Sequence, residues 1–158
     1  MLSKYIFLSL FIIAFTRCKK YPENDRIYLK TVKARLISHE WHFNKLTING
    51  IDSTEMHTLK FGTSTPENVT INFDPDLNSL VLKYPTAPNS YVNKDIVFKE
   101  KKKKISIDEY QGNITNSIYV RLFILNEKHE WDIAKLTKNE FVLTGIGNNK
   151  EFRFEFIK

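Results

Sequence analysis

The chain has 158 residues, enough for one domain of ordinary size with a single hydrophobic core. Its formal net charge of +6 is modest and its basic residues are spread along the sequence, which argues against a nucleic-acid-binding protein. A single cysteine excludes an internal disulfide, and 12 Phe and 7 Tyr with only 5 Gly favour strands over helices.

The beginning of the chain has the order of a secretory signal. Lys4 supplies a positive start, residues 5–15 form an apolar run, and Cys18 stands directly before two lysines. The apolar run is about eleven residues long, whereas a helix needs roughly 20 residues to cross a bilayer. We therefore expect a segment that is processed rather than one that stays as a membrane span.

The lone cysteine at the end of this segment predicts a bacterial lipoprotein. Residues 1–17 would be the signal peptide, and acyl chains on Cys18 would hold the mature chain to the outer membrane, facing the periplasm. Two alternatives stay open. Ala14 and Thr16 form a small-x-small pair, so cleavage after Thr16 would release a soluble protein. The segment would otherwise remain uncut at the membrane, since Arg17 is an unusual neighbour for a lipoprotein cleavage site.

The residues after Cys18 are expected to form a tether and then a helix. We assign residues 18–27 to the lipidated cysteine and a tether, with Pro22 and polar neighbours keeping residues 21–25 out of the fold, and residues 28–158 to the domain. Residues 29–38 have apolar side chains at near-helical spacing. They predict a short amphipathic helix on the surface, with its cations towards solvent or lipid headgroups; a plug or lid on the fold is the alternative.

From Trp41 onwards the sequence changes to short strand-like runs separated by turn residues. Such runs at intervals of about 8–12 residues predict an all-β barrel or sandwich, and the need to protect sheet edges favours the barrel. We expect a small antiparallel up-and-down barrel of about eight strands. The predicted strands cover residues 41–48, 55–61, 69–73, 80–84, 96–98, 105–107, 118–125, 131–136, 141–144 and 152–156. The predicted turns and loops cover residues 49–50, 62–68, 74–76, 85–90, 99–104 and 110–117.

One nonapeptide occurs twice in similar form. Residues 39–47 are HEWHFNKLT and residues 129–137 are HEWDIAKLT, identical at six of nine positions. The residue two places after each Trp should point the same way as that Trp. Leu46 and Leu136 have the opposite parity, so either they face outwards or a β-bulge intervenes. We expect two strands built for similar surroundings rather than a duplicated half-domain.

These segments also carry a family resemblance. The residues that carry it are Cys18-Lys19-Lys20, Lys33-Ala34-Arg35-Leu36 leading to Trp41, Asn49-Gly50-Ile51-Asp52, Trp131-Asp132-Ile133 and Lys135-Leu136-Thr137. In these residues the chain resembles the lipocalin-like lipoproteins of Bacteroidetes-type bacteria, a largely uncharacterised family. The resemblance implies a small antiparallel barrel with a Trp near the start of its first strand, and it implies no activity.

The aromatic side chains supply the candidate interior. The residues expected to line the core or a ligand cavity are Trp41, Phe43, Trp131, Ile133, Phe152, Phe154 and Phe156. Small barrels either fill their interior with side chains or leave room for one ligand. So many aromatic residues favour filling, and with it a structural or interaction protein with an envelope partner. The alternative is a carrier of a small hydrophobic ligand, which would need an empty pocket of roughly 300 Å³ or more.

No residue pattern predicts catalysis, a metal or a cofactor. The sequence His39-Glu40-Trp41-His42-Phe43 lacks the second histidine of a zinc-binding HExxH helix, because Phe43 occupies that position. The lysines of residues 101–104 are expected to be the solvated end of a hairpin rather than a contact for lipid or nucleic acid. The sequence therefore predicts a membrane-anchored protein that is not an enzyme.

Overall fold

The computed structural model describes residues 21–23, 31–59, 62–85, 92–108 and 130–158. The predicted signal peptide, Cys18, the predicted loops over residues 86–90 and 110–117 and the predicted strand over residues 118–125 lie outside the described residues.

Short antiparallel strands dominate the described part of the chain. They are β1 Trp41–Ile48, β2 Ile51–Asp52, β3 Thr70–Phe73, β4 Ser79–Lys83, β5 Val92–Lys99, β6 Lys104–Asp108, β7 Glu130–Leu136, β8 Glu140–Gly147 and β9 Lys150–Ile157. Helix α1 is Val32–Leu36, helix α2 is Thr54–Thr58, and 3-10 turns cover Pro66–Asn68 and Glu100–Lys102.

The sheet curls round so that its first long strand meets its last. β1 pairs with β3 on one side and with β9 on the other, and β3 to β9 follow one another in sequence order. The result is a nearly closed eight-strand barrel, with β2 as a short addition beside β1. The prediction of a small antiparallel up-and-down barrel with a short preceding helix is confirmed.

Two hairpin turns use residues with left-handed backbone conformations. Asn49 and Gly50 have φ angles of 51° and 78° after β1, and Asn148 and Asn149 have φ angles of 50° and 58° between β8 and β9. Two successive positive φ angles match the right-handed twist of the flanking strands, and Asn and Gly tolerate them best. The Asn49-Gly50 turn is where the sequence predicts it.

The predicted strand over residues 55–61 is wrong where the structure describes it. Residues 54–58 form α2, in which His57 and Thr58 are buried and Met56 is exposed. A strand here would need a free sheet edge. Thr47 and Ile48 of β1 already pair with β2 on one side and with β9 on the other, so the segment crosses the barrel opening as a helix instead.

A β-bulge interrupts each copy of the repeated nonapeptide. Asn44 is the extra residue of β1 against β9, and Ala134 is the extra residue of β7 against β8. Each bulge reverses the parity of the strand after it. Leu46 and Leu136 are therefore buried in the same core as the tryptophans. Of the two alternatives that the sequence left open, the bulge is correct.

The antiparallel order divides the connections between the two ends of the barrel. We call one the α1 end: it carries α1, which precedes β1, and the turns at residues 74–78, 100–103 and 137–139. We call the other the α2 end: it carries α2, the β1–β2 turn and the turn at residues 148–149.

Candidate functional site

The predicted interior residues lie together in one core. All seven are buried: Trp41, Phe43, Trp131, Ile133, Phe152, Phe154 and Phe156. Their rings are in direct contact across the barrel, with centroids 5.2 Å apart for Trp131 and Phe154 and 5.8 Å apart for Phe43 and Phe156. Such edge and stacked contacts fill space at core density. The interior built by these residues is packed with side chains.

His57 extends this aromatic core at the α2 end. Its ring lies 5.9 Å from the ring of Phe43 and 5.8 Å from that of Phe154, between centroids, and the residue is buried. Sequence patterns provided no signal for this position, because no cysteine or pair of carboxylates lies beside His57. Its burial follows from α2 crossing the barrel opening.

The N-terminal segment packs on the barrel instead of standing clear of it. Tyr21 is fully buried in the core cluster, and its hydroxyl donates to the carbonyl of Lys102 at 2.9 Å. The backbone N–H of Glu23 donates to the carbonyl of Ala134, the bulge residue of β7, at 3.0 Å. The prediction that Pro22 and its neighbours keep this segment out of the fold is therefore wrong for residues 21–23. The reason is that the aromatic ring of Tyr21 packs against the apolar residues of the core.

Arg35 holds α1 against the barrel from within. Its guanidinium donates to the carbonyl of Leu136, and the guanidinium carbon lies 5.8 Å from the centre of the Tyr21 ring. Arg35 is buried, as are Val32 and Leu36 of the same helix. The surface helix that we favoured from the sequence is wrong for this face, and the plug alternative is correct.

The indole of Trp41 completes the attachment of α1, since its Nε1–H donates to the carbonyl of Leu36 at 3.0 Å. Thr31 caps the start of the helix by accepting a hydrogen bond from the Ala34 N–H at 3.1 Å. The Trp near the start of the first strand thus closes the α1 end together with the helix that precedes it.

Glu23 and Arg153 form a bidentate ion pair on the outer wall. The two terminal nitrogens of Arg153 donate to the two carboxylate oxygens of Glu23 at 2.6 and 2.7 Å. These hydrogen bonds hold the pKa of Glu23 below its usual range and raise the pKa of Arg153. The Arg153 Nε–H also donates to Glu155 at 2.8 Å. Paired hydrogen bonds of this kind fix orientation as well as charge.

Burial dominates the chemistry of Tyr21. It raises the pKa of the Tyr21 phenol to about 12, and the nearby cation of Arg35 opposes that rise only in part. The neutral hydroxyl is therefore the form that the folded chain holds against the Lys102 carbonyl.

Two clefts lie on the outer wall rather than in the barrel. One of about 350 Å³ lies along β7, β8 and β9 between Lys104 and Ile146. The other, about 480 Å³, lies between the docked segment and the wall, with Glu23, Lys103 and Arg153 among its lining residues. Both open to solvent and charged side chains contribute to the lining of each, so neither is an enclosed apolar ligand cavity.

The histidines near β1 have separate roles. His39 precedes β1, and its ring lies 4.8 Å from that of Trp41, whereas the His42 Nδ1–H donates to the carbonyl of Glu67 at 2.8 Å. The Glu40 carboxylate accepts hydrogen bonds from Thr70 and Lys83 at 2.8 and 3.1 Å. Within the described ranges, no group of three or more His, Cys, Asp or Glu side chains is arranged to hold a metal ion.

Sequence reasoning missed the residues that attach the N-terminal segment, which are Tyr21, Glu23, Arg35 and Arg153. A signal was present only for Tyr21, an aromatic residue among polar ones. The partners of the two arginines lie 101 and 130 positions away, at Leu136 and Glu23, and only the closed barrel brings them together.

Among the helices of the described segments, none combines the length and hydropathy that crossing a bilayer requires.

Comparison with solved structures gives a likeness at the level of the fold. No family model matches the chain, and no curated protein matches it. The chain is similar to an uncharacterized protein from Bacteroides eggerthii DSM 20697, known from a crystal structure, with a TM-score of 0.45 and 15% sequence identity. The match covers 73% of this chain and 95% of that one.

Proposed function

We propose that this protein is a bacterial envelope lipoprotein, held to the outer membrane by acyl chains on Cys18, whose barrel is a non-catalytic interaction module. Its partner is another protein of the envelope. The packed aromatic interior carries this proposal, because a barrel filled by its own side chains works through its surface.

The carrier alternative is less well supported for the same reason. The ring contacts of Trp131, Phe154 and Phe43 occupy the space in which a small apolar ligand would sit. The two clefts on the outer wall are large enough for a ligand, but polar side chains line them.

The docked N-terminal segment supports anchoring at Cys18. Only Lys19 and Lys20 separate that cysteine from Tyr21, which is fully buried in the barrel. An acyl group on Cys18 would therefore be joined to a fixed part of the fold. Attachment through more than one acyl chain is stable, since each buried CH₂ contributes about 0.8 kcal/mol.

Exposed apolar side chains at the α2 end suit a protein partner. Ile51, Met56 and Leu59 are all more than half exposed, although large apolar side chains are usually buried. They lie at the end of the barrel opposite to α1, which faces away from the proposed anchor.

The anchor is tested by the intact mass of the protein from a native-type host, with and without Cys18→Ala. We expect an acyl mass that disappears in the variant, together with loss of membrane fractionation. A chain that begins at Arg17 and carries no lipid would show that the protein is secreted in soluble form.

The interaction role is tested against the carrier role in two experiments. Titration with an apolar fluorescent probe should give no saturable binding of one probe per barrel, and such binding would establish the carrier. A photo-crosslinking residue at Met56 should give one discrete protein adduct in cells, while the same residue at Asn148, a turn position at the same end, should not.

A further inference from the structure

Five lysines at the α1 end form no ion pair with another described residue. They are Lys101, Lys102 and Lys103 of the β5–β6 turn, Lys138 of the β7–β8 turn and Lys158 after β9. We call them the lysine surface. All are exposed except Lys102, which is half-buried with its ammonium 5.9 Å from the centre of the Phe98 ring.

A continuous series of contacts links these lysines across the α1 end. The Lys102 carbonyl accepts from Tyr21, the Tyr21 ring lies under the guanidinium of Arg35, and Arg35 donates to Leu136. Leu136 leads directly into the turn that holds Lys138. The Lys158 N–H donates to the carbonyl of Asn139 in that turn at 3.1 Å. The five cations therefore belong to one assembled surface.

The acidic residues at this end do not neutralise the lysine surface. Asp76, Glu100 and Glu140 pair with Lys33, Lys104 and Lys135, which lie outside it. Asp74 accepts hydrogen bonds from backbone and side-chain donors of its own turn.

The α2 end has the opposite balance. Among the side chains described there, Glu55, Glu67 and Glu151 form no ion pair, and Lys150 is a lysine without a carboxylate partner. Within the described side chains, unpaired cations therefore predominate at the α1 end and unpaired carboxylates at the α2 end.

The lysine surface lies beside the proposed point of lipid attachment. Cys18 precedes Tyr21 by three positions, and three Cα steps of 3.8 Å span at most about 11 Å. Tyr21 is itself hydrogen-bonded to the β5–β6 turn. An acyl chain on Cys18 therefore brings the α1 end to the headgroup layer of the membrane.

We propose that the α1 end is a membrane-docking surface that binds acidic phospholipid headgroups through Lys101, Lys102, Lys103, Lys138 and Lys158. This replaces the expectation from the sequence that the lysines of residues 101–104 are only the solvated end of a hairpin. This proposal rests on the proposed anchoring at Cys18. The acyl chains supply attachment and the lysines supply orientation, because cations within a Debye length of an anionic surface are attracted to it. The α2 end, with its exposed apolar side chains, then faces away from the membrane.

The test is lysine footprinting of the full processed protein from a native-type host. The protein is reconstituted in vesicles of phosphatidylcholine alone, or with about one third phosphatidylglycerol to give an anionic surface. An amine-acylating reagent then labels accessible lysines, which are read by mass spectrometry. We expect labelling of the lysine surface to fall severalfold only on the anionic vesicles, while Lys150 at the α2 end is labelled equally on both.

Salt separates docking from anchoring. At about 1 M salt the Debye length is only about 3 Å, so the five lysines should become fully labelled while the protein still sediments with the vesicles.

A triple variant adds a matched control. In Lys101→Gln/Lys102→Gln/Lys103→Gln, the protection of Lys138 and Lys158 should be lost, because the remaining cations hold the end too weakly. Lys150→Gln should leave that protection intact.

The footprint and the intact mass test two separate statements, namely docking of the α1 end and lipid attachment at Cys18. Equal labelling of Lys101 and Lys150 on anionic vesicles overturns docking, even if the intact mass shows acylation. A missing acyl mass overturns the anchor, and the footprint of the same sample, mixed with the same vesicles, still decides whether the α1 end binds acidic headgroups. Protection of all lysines alike also overturns docking at one end.

Discussion

The backbone N–H of Glu23 donates to the carbonyl of Ala134, the bulge residue that β7 places without a partner between its paired residues Ile133 and Lys135. A bulge leaves backbone groups outside the regular ladder, and here one of them receives the N-terminal segment. The same irregularity that turns Leu136 into the core therefore provides the contact that docks residues 21–23.

Deletion of Ala134 should damage both features. Without the extra residue, either Trp131 and Ile133 or Leu136 must point outwards. We expect the free energy of unfolding to fall by about 2–5 kcal/mol or more, which is the usual effect of removing a large apolar side chain from a core. Urea unfolding followed by tryptophan fluorescence would measure it. Ala134→Gly keeps the bulge, and it should cost only about 1 kcal/mol. Equal stability of the deletion variant would show that the bulge is dispensable.

The pairing of Glu23 with Arg153 predicts a dependence on acid. Because the hydrogen bonds from Arg153 lower the pKa of Glu23 in the folded state, the pair stabilises the fold above the ordinary carboxyl pKa. That stability is lost as the pH falls through the lowered pKa. The pair is partly exposed, so Glu23→Gln should cost at most about 1 kcal/mol at neutral pH.

The measurement is denaturant unfolding of wild type and Glu23→Gln between neutral and acidic pH. Their difference should shrink to zero in acid. Glu55→Gln, on the exposed face of α2, is the control and should match wild type throughout. A difference that stays constant with pH would contradict an ionic origin.

Tyr21 predicts a loss of stability in alkali. Its folded-state pKa of about 12 exceeds the ordinary value of 10.0, so the neutral phenol stabilises the fold fully below pH 10. As the pH rises from 10 to 12 this contribution to the free energy of unfolding is lost, at most about 2.7 kcal/mol for two units of 1.36 kcal/mol each. Tyr21→Phe should not show this part of the decrease in stability at alkaline pH, because phenylalanine has no hydroxyl to ionise. Parallel curves for the two proteins would show that the phenol remains accessible to ionisation.

Phe154 is the test of the filled interior, since its ring contacts those of Phe43, His57 and Trp131. Phe154→Ala should destabilise the fold by about 3–5 kcal/mol and leave a cavity. We expect the variant, unlike wild type, to bind a small apolar probe. Phe154→Leu is the control, with a smaller loss and no probe binding. Probe binding by wild type at the same affinity would mean that a cavity already exists.

Gly50 gives a prediction about backbone alone. Its φ is +78°, and a Cβ added there would meet no heavy atom within 4 Å. Gly50→Ala should therefore cost about 1 kcal/mol, the price of a left-handed conformation, with no steric part. Asn49→Gly, at the neighbouring position with φ of 51°, relieves the backbone but removes the hydrogen bond that Asn49 Oδ1 accepts from the Glu151 N–H at 2.8 Å, so it should also cost about 1 kcal/mol. Thermal unfolding measures the stability of both variants. A loss of stability in Gly50→Ala well above about 1 kcal/mol would show that the turn contacts another part of the chain.

Local patterns were enough to predict most of the fold. Alternation of apolar residues located β1, β3, β4 and β7 to β9 in the described part. Leu46 and Leu136 have the opposite parity to the tryptophans of their strands, which left either an outward-facing leucine or a β-bulge in each strand. The periodicity of apolar residues does not show whether a neighbouring strand has a free edge. For that reason the segment that forms α2 was wrongly predicted as a strand.

The attachment of the N-terminal segment could not be predicted, for a different reason. A polar pentapeptide beside a predicted membrane anchor has the composition of a tether, and the burial of Tyr21 depends on a surface assembled from α1, Lys102 and Ala134. The burial of Arg35 has the same origin. Its hydrogen-bond acceptor, the Leu136 carbonyl, exists in that position only once the barrel has closed.

Closure of the barrel also imposes an order on the steps of folding. β9 is the last strand of the described chain, and it satisfies the open edges of both β1 and β8. A growing chain that still lacks Lys150–Ile157 leaves β1 and β8 with an unpaired edge each, about a hundred residues apart in sequence, and contacts of such separation form slowly. The barrel therefore cannot close before β9 is available, which makes its closure a late step of folding.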